Sequence, residues 1–311
     1  MNGNKKTGEL RKMKKNNPNR YVSGAVQTKR FGYGMITPTL IVMAIMTAYP
    51  LIFTVYYSFT DYNLLSVLKN PAKFIGFDNY VKLLSTPYFR NAIWNTVRFT
   101  LLAVVFEMLV GFIMAEFVHR LKRAQKIMRT LLLIPYLLPT VTVALIWRMM
   151  LSPNYGIINQ FLEALHIPVY NWFSDIKTAF GMLVVIDIWQ SAPFVFLLLY
   201  AALQAVPADQ YEAAKLDGAN YFQVLFYVTI PNIKDSLALC ALLRTIDSFR
   251  LFDKVNLLTG GGPANSTSTI TQYLYNTGIK VFDFGYASAG AIVMTLIVLI
   301  LASIYIKRAM N

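Results

Sequence analysis

Several long apolar stretches constrain this chain more than any other feature of its sequence. A bilayer core is about 30 Å thick, and a helix that crosses it needs roughly 20 mostly apolar residues. The sequence contains stretches of that length, separated by short polar segments. Only 14% of its 311 residues are charged, whereas a soluble domain carries about a quarter. The pattern predicts an all-α integral membrane protein and excludes an ordinary soluble enzyme.

Six transmembrane helices are predicted within a membrane domain that takes in residues 31–308. Their approximate bounds are 35–58, 94–118, 131–150, 179–203, 236–258 and 285–306. The first follows a basic N-terminal tail, residues 1–30, and is too long for the apolar region of a cleavable signal peptide. The fifth is the least apolar, and a protein of five spans is the alternative. The charged residues of span five are Arg244, Asp247, Arg250, Asp253 and Lys254.

The distribution of lysine and arginine predicts the orientation of these spans, because cytoplasmic segments of membrane proteins are enriched in both. The N-terminal tail holds nine, and the loop at 119–130 holds five. The loop at 151–178 holds only Lys177 and is therefore expected on the opposite side. Both termini are then cytoplasmic, and so is the loop at 204–235. The tail has one aromatic residue, Tyr21, and lies directly before a span, so we expect it to set this topology rather than to bind nucleic acid.

No catalytic or metal-binding pattern is evident. The single cysteine, Cys240, excludes an intrachain disulfide, and His119 and His166 lack the spacing of a metal-binding pair. No phosphate-binding loop of the Gly-x-x-x-x-Gly-Lys-Ser/Thr type occurs, so this chain is not expected to hydrolyse ATP by that device. Glu107 and Asp187 lie inside spans, but nothing in their spacing brings them together. The sequence predicts a protein that is not an enzyme and has no metal or cofactor of its own.

The cytoplasmic loop at 204–235 has an unusual pattern. Asp209 is predicted as a helix N-cap, with Glu212 three residues on as its capping-box partner. Gly218 suits the left-handed position that follows a helix C-terminus. The helix between them is too polar to span a membrane and too short to be stable without packing. It is expected either to dock on a cytoplasmic partner, which the small alanines after Glu212 favour, or to lie on the lipid surface.

Four motifs carry a resemblance to a known family. The run Glu212-Ala213-Ala214, followed by Asp217-Gly218-Ala219 and closed by Ile230-Pro231, resembles the EAA loop of binding-protein-dependent ABC importer permeases. Three further motifs resemble the sugar-importing branch of that family, of the maltose and glycerol-phosphate type. They are Phe77-Asp78-Asn79-Tyr80, Trp172-Phe173-Ser174-Asp175 and Leu258-Thr259-Gly260-Gly261-Gly262-Pro263.

The resemblance implies a permease subunit with the type I ABC importer fold, located in the bacterial cytoplasmic membrane. It also implies the partners: a second, homologous permease, a cytoplasmic ATPase dimer that carries the ATP and Mg²⁺, and an extracytoplasmic solute-binding protein. The substrate would be a sugar or oligosaccharide. The EAA loop would form the coupling helix that sits in a cleft of the ATPase. Its coupling positions would be Glu212, Ala213, Ala214, Asp217 and Gly218.

Charged residues in span five suggest where the substrate passes. Arg244 and Asp247 are spaced i,i+3, as are Arg250 and Asp253, so each pair can meet on one helix face. Such charges either neutralise each other or line the translocation path. An arginine in the path can grip a carboxylate or phosphate, so an acidic oligosaccharide or a sugar phosphate is an alternative to a neutral sugar. By resemblance to the maltose type, the path residues would be Gln190, Ser191, Phe194, Arg244, Asp247, Ser248 and Leu251.

Two other classes of membrane protein are alternatives. An autonomous ion-coupled carrier would explain the spans and the buried charges, but it gives the loop at 204–235 no role. A membrane-embedded lipid-modifying enzyme would use Asp187 and Glu107, but it needs a metal or nucleophile pattern that the sequence does not contain.

Overall fold

The computed structural model describes residues 18–67, 71–121 and 123–309, and it gives only the backbone for residues 18–32, 306, 308 and 309. Most of the basic tail at 1–30 therefore lies outside the described residues. Across the described ranges the structure is helical, and its β pairing consists of two isolated bridges, Thr60–Phe74 and Asn63–Asp283. The prediction of an all-α protein is confirmed.

The helices are named here in chain order. They are α1 (Pro18–Ser58), α2 (Leu64–Val67), α3 (Asp78–Ser85), α4 (Pro87–Arg120), α5 (Gln125–Leu137), α6 (Thr140–Met150), α7 (Ile157–Ala164), α8 (Ile176–Gln204), α9 (Ala208–Leu216), α10 (Tyr221–Val224), α11 (Ile230–Phe249), α12 (Asp253–Leu258), α13 (Ile270–Tyr275) and α14 (Phe284–Ala309). Two π-helical segments, Leu225–Thr229 and Asn276–Lys280, continue α10 and α13.

Five of the described helical segments are long and apolar enough to cross a membrane. They are Tyr33–Ser58 within α1, all of α4, all of α8, Tyr221–Phe249 from α10 to α11, and Phe284–Tyr305 within α14. The pair α5 and α6 passes the same test together, but the two helices are bent by 89° at their junction. The six predicted spans therefore correspond to five continuous helices and one broken pair.

The third span is not the straight helix that we predicted over residues 131–150. The helix stops at Leu137 and restarts at Thr140. Pro139 explains the break, because proline has no backbone N–H and forces the preceding residue out of the helical conformation. Leu138 accordingly has the extended angles φ −75° and ψ 137°.

The fifth span is also displaced from its predicted position at 236–258. The apolar helix begins at Tyr221 and ends at Phe249, while residues 253–258 form the separate helix α12. Pro231 does not end this segment: the turn before it, Leu225–Thr229, is π-helical, and the proline lies at the start of the α-helical part, α11. The second half of the loop at 204–235 is thus the first part of the span.

The chain divides into two compact units, Met1–Thr54 and Val55–Asn311. In the first unit, α1 contains Pro38 and Pro50. The Thr54 hydroxyl donates a hydrogen bond of 2.8 Å to the Pro50 carbonyl within this helix. The second unit holds the remaining helices and the candidate site.

The long helices α4 and α8 form the centre of the second unit and approach each other closely at Gly111. A Cβ atom added at Gly111 would lie 2.5 Å from Cβ of Val195 and 2.9 Å from the carbonyl oxygen of Ala192. Only glycine fits at that point, because real Cβ contacts are longer. Apolar clusters on both sides of this crossing hold the two helices together.

Two of the motifs that carried the resemblance have structural roles. Asn79 is buried, and its Nδ2 donates to the carbonyl oxygens of Ser58 at 3.0 Å and Thr60 at 2.8 Å. In the glycine run, Gly260 and Gly261 have φ values of 60° and 92°, which side chains other than glycine rarely adopt. These residues fix loop conformations at the ends of the spans.

Candidate functional site

Four charged side chains are buried together inside the second unit. Arg244 on α11 forms a bidentate ion pair with Glu107 on α4, with Nε 2.7 Å from Oε2 and Nη2 3.0 Å from Oε1. Lys254 on α12 pairs with Asp187 on α8, and Nη2 of Arg244 lies 3.8 Å from the same carboxylate. None of the four is more than 5% exposed. This ion network joins four helices and balances two positive charges with two negative ones.

The ion network could not be found from spacing, because Glu107 and Arg244 are 137 positions apart. A signal was nevertheless present in the sequence. A charge inside a membrane span is costly unless it has a partner, so single charges on different spans are expected to meet. In the structure, Glu107 and Asp187 both lie next to Arg244. The two carboxylates are therefore linked by a cation and do not form an isolated pair.

The two i,i+3 pairs predicted in span five differ in outcome. Nη1 of Arg244 lies 3.4 Å from Oδ2 of Asp247, but this contact is longer than those to Glu107, and the Asp247 side chain is 57% exposed. The pairing of Arg250 with Asp253 was wrong. Because α11 ends at Phe249, the two residues do not share a helix face, and no ion pair joins them in the described part of the chain.

A cavity of about 570 Å³ lies beside the ion network. Its wall includes the break between α5 and α6 and the turn between α11 and α12. Six of the seven predicted path residues line this cavity: Gln190, Ser191, Arg244, Asp247, Ser248 and Leu251. Phe194 does not line the cavity. Its ring centre lies 5.3 Å from that of Tyr136, and Tyr136 does line it.

Gln190 supplies the cavity wall with a free hydrogen-bond acceptor. Its Nε2 donates to the carbonyl oxygen of Leu138 at 3.1 Å, at the break of the third span. Its Oε1 is buried and has no hydrogen-bond partner among the described residues. Buried polar atoms normally have partners, so this oxygen is an unpaired acceptor in a residue of the cavity wall. The hydroxyl groups of Ser191 and Ser248 line the same space.

The loop at 204–235 contains the short helix α9, which has no buried residue. Its last residue, Leu216, is 89% exposed, although leucine is normally buried. Among the predicted coupling positions, Glu212, Ala213, Asp217 and Gly218 are exposed and Ala214 is half-buried. This arrangement leaves most of the helix surface available to another molecule.

Both ends of α9 were predicted from the sequence, with different success. At the C-terminus, Gly218 has φ 74°, its N–H bonds the carbonyl of Lys215 at 3.2 Å, and Ala219 N–H bonds that of Ala214 at 3.0 Å. This is the Schellman arrangement, and the prediction for Gly218 is confirmed.

The prediction of an N-cap at Asp209 with a capping box at Glu212 was wrong. The N-cap residue is Pro207, which has no side-chain donor or acceptor, and Asp209 lies in the first helical turn. The loop's capping box is one helix later, where Asn220 and Gln223 bond each other's backbone N–H groups at 3.0 and 2.7 Å. The proline before α9 places the helix start two residues earlier than the acidic residue suggests.

Comparison with known proteins decides the family. Residues 107–307 match the family model described as the inner membrane component of binding-protein-dependent transport systems. The chain belongs to this family. The matched region contains the ion network, the cavity wall and the loop with α9, and the resemblance found in the sequence is confirmed.

Relatives of known name extend over most of the chain. The sulfoquinovosyl glycerol transport system permease protein SmoG of Agrobacterium fabrum is 34% identical over 88% of each chain. The trehalose/maltose transport system permease protein MalF of Thermococcus litoralis is 35% identical over 89% of this chain and 93% of its own. The chain is thus an inner-membrane transport permease with several spans.

A solved structure has the same fold. One chain of a bacterial ABC transporter involved in the import of the acidic polysaccharide alginate superposes with a TM-score of 0.81 and 23% identity. The match covers 93% of this chain and 98% of that one. The likeness confirms the type I ABC importer permease fold.

Proposed function

We propose that this chain is one of two permease subunits of an ABC importer for a sugar or oligosaccharide. The observation that carries the proposal is the similarity to SmoG and MalF over nearly the whole chain, because both are named as permeases for glycosides or sugars. The cavity beside the ion network, lined by amide and hydroxyl groups, supports the same substrate class.

The charges around the cavity favour a neutral, polyhydroxylated substrate. Arg244 directs its short hydrogen bonds to Glu107, so its charge is already compensated. The free acceptor of Gln190 suits a sugar hydroxyl better than a carboxylate, which would be repelled. An acidic substrate is the alternative, and the exposed Arg250 in the cavity wall is the cation that would receive it.

The loop with α9 is proposed to couple this chain to a cytoplasmic ATPase dimer. Its exposed surface and the solvent-facing Leu216 support docking, because an exposed leucine gains free energy when a partner covers it. Glu212, Ala213 and Gly218 would lie at or beside that contact. ATP and Mg²⁺ would be held by the ATPase, and this chain would perform no covalent chemistry.

The proposed transport cycle is mechanical. A solute-binding protein would deliver the sugar on the extracytoplasmic side, and a second permease would complete the path. ATP binding would draw the coupling helices together and open the cavity outward, and hydrolysis would reset it inward. Both termini of this chain would be cytoplasmic, as the distribution of basic residues predicts.

Gly218 offers a direct test of coupling. A Cβ atom at this position meets nothing within 4 Å, so Gly218→Val acts through backbone strain at φ 74° and not through a clash. A left-handed non-glycine residue costs about 1–2 kcal/mol, and valine is worse because it is β-branched. We expect ATP hydrolysis by the assembled importer to continue while sugar uptake falls.

Gly218→Asn is the matched control, since asparagine tolerates the left-handed conformation. It should retain most uptake. Normal uptake by Gly218→Val would contradict the coupling role of the loop. Uptake that persists in vesicles without ATP would instead support an autonomous ion-coupled carrier.

A further inference from the structure

A second cavity, of about 590 Å³, lies between the first turns of α4 and α8. It is separate from the candidate site, and the two share no lining residue. Two cationic side chains, Arg98 and Lys177, line it from opposite helices. No carboxylate is present among the described residues of its wall. The cavity wall therefore carries two positive charges and no negative one, which favours an anionic ligand.

Two polar groups of this cavity, the guanidinium of Arg98 and the hydroxyl of Ser266, have no hydrogen-bond partner in the described structure, whereas Asn91 and Asn95 donate to backbone carbonyls. Arg98 forms no ion pair there, and its guanidinium lies 4.5 Å from the centre of the Phe180 ring. The hydroxyl oxygen of Ser266 is buried and has no hydrogen-bond partner. A charged arginine in a spanning helix and a buried hydroxyl both gain free energy from an acceptor. An anion in the cavity would give Arg98 that acceptor.

The cavity is polar at one end and apolar at the other. Lys177 is the second residue of α8, so this end lies where the helix enters the membrane. The exposed Trp94 lines the same end, as tryptophans do at membrane interfaces. Leu102 and Phe106 continue the wall deeper along α4. From Arg98 to Phe106 the helix rises about 12 Å.

We propose that this cavity binds an anionic phospholipid of the leaflet on the side opposite the cytoplasmic loop. The phosphate lies between Arg98 and Lys177, and the first part of an acyl chain lies along Leu102 and Phe106. Two cations at a membrane boundary above an apolar wall match the two ends of a lipid. Free phosphate would leave the apolar half of the cavity empty, so lipid is the occupant that fits the whole wall.

The test uses the full chain purified in mild detergent and titrated with phosphatidylglycerol or phosphatidylcholine in native mass spectrometry. Phosphatidylglycerol is expected to bind more tightly than the zwitterionic lipid. The double variant Arg98→Gln, Lys177→Gln should bind phosphatidylglycerol about thirtyfold more weakly, at roughly fivefold for each cation. The matched control is Lys82→Gln, Arg90→Gln, which removes the same charge at positions outside the cavity and should bind within twofold of the wild type.

Gly181→Leu keeps the test decisive if the charge variant does not fold. Gly181 lines the cavity, and a Cβ atom there meets nothing within 4 Å. The leucine should therefore fill the cavity without straining α8 and should reduce phosphatidylglycerol binding while both cations remain. Unchanged affinity in Gly181→Leu, equal affinity for the two lipids, or an equal loss in the control variant would each overturn the proposal. Crosslinking of a photoreactive residue at position 94 to a protein chain in place of lipid would do the same.

Discussion

Removal of Arg244 alone should destabilise the protein strongly. The network of Glu107, Asp187, Arg244 and Lys254 is buried and has no net charge. The variant Arg244→Met leaves two buried carboxylates against one ammonium group. Breaking a buried pair by removing one partner costs about 3–5 kcal/mol, which is a large share of the roughly 5–15 kcal/mol that stabilises a folded protein.

Removal of both partners should cost much less than removal of one. In Glu107→Leu, Arg244→Met, the remaining charges are Asp187 and Lys254, which are already paired with each other. Replacing a whole buried ion pair by apolar side chains of similar volume is often neutral or stabilising. The double variant should therefore recover at least about 2 kcal/mol of the free energy of unfolding that Arg244→Met loses.

The assay is a double-mutant cycle on the purified chain, with the free energy of unfolding measured by denaturant titration in detergent. Asp247→Asn is the control, because its side chain is 57% exposed and its contact to Arg244 is 3.4 Å long; it should change stability by less than about 1 kcal/mol. If the double variant is as unstable as the sum of the two single variants, the pair is not coupled and the account of the network is refuted.

Two further predictions concern helix packing and the cavity. Gly111→Ala should lower the free energy of unfolding by about 1–3 kcal/mol, because its Cβ would clash with Val195. In the same thermal unfolding assay Gly181→Ala, whose Cβ meets nothing within 4 Å, should have little effect. Gln190→Leu removes both the unpaired Oε1 and the Nε2 hydrogen bond to the Leu138 carbonyl. It should weaken sugar uptake about tenfold or more and lower the free energy of unfolding by about 1–3 kcal/mol; uptake equal to the wild type would remove Gln190 from the path.

Apolar length and residue type were enough to predict the membrane class and most spans. The apolar stretches that end at Arg120 and at Gln204 both form long helices. In a bilayer the backbone polar groups must be satisfied internally, and a helix does this. Gly218 was predictable for a similar reason, since a left-handed helix end strongly favours glycine. Local rules of this kind depend on few neighbours and therefore transfer from sequence to structure.

Features that depend on several helices were not predictable in the same way. The bend at Pro139 and the end of α11 at Phe249 move the boundaries of two spans. Hydropathy is averaged over many residues, so it does not locate either of them. The contact between Glu107 and Arg244 depends on how α4 and α11 pack, which no spacing along the chain encodes. Six of the seven candidate path residues still line one cavity because the resemblance carried their three-dimensional arrangement with it.

The central claim is that this chain works as the membrane subunit of an ATP-driven importer. Affinity purification from its native membrane in mild detergent, with ATPase activity measured on the purified material, tests that claim most directly. We expect an ATPase and a second permease to co-purify with the wild type, and the ATPase to be lost in Leu216→Ser, whose side chain is 89% exposed and supports no internal packing. A chain that purifies alone, with no ATPase activity, and transports sugar without ATP would contradict the account.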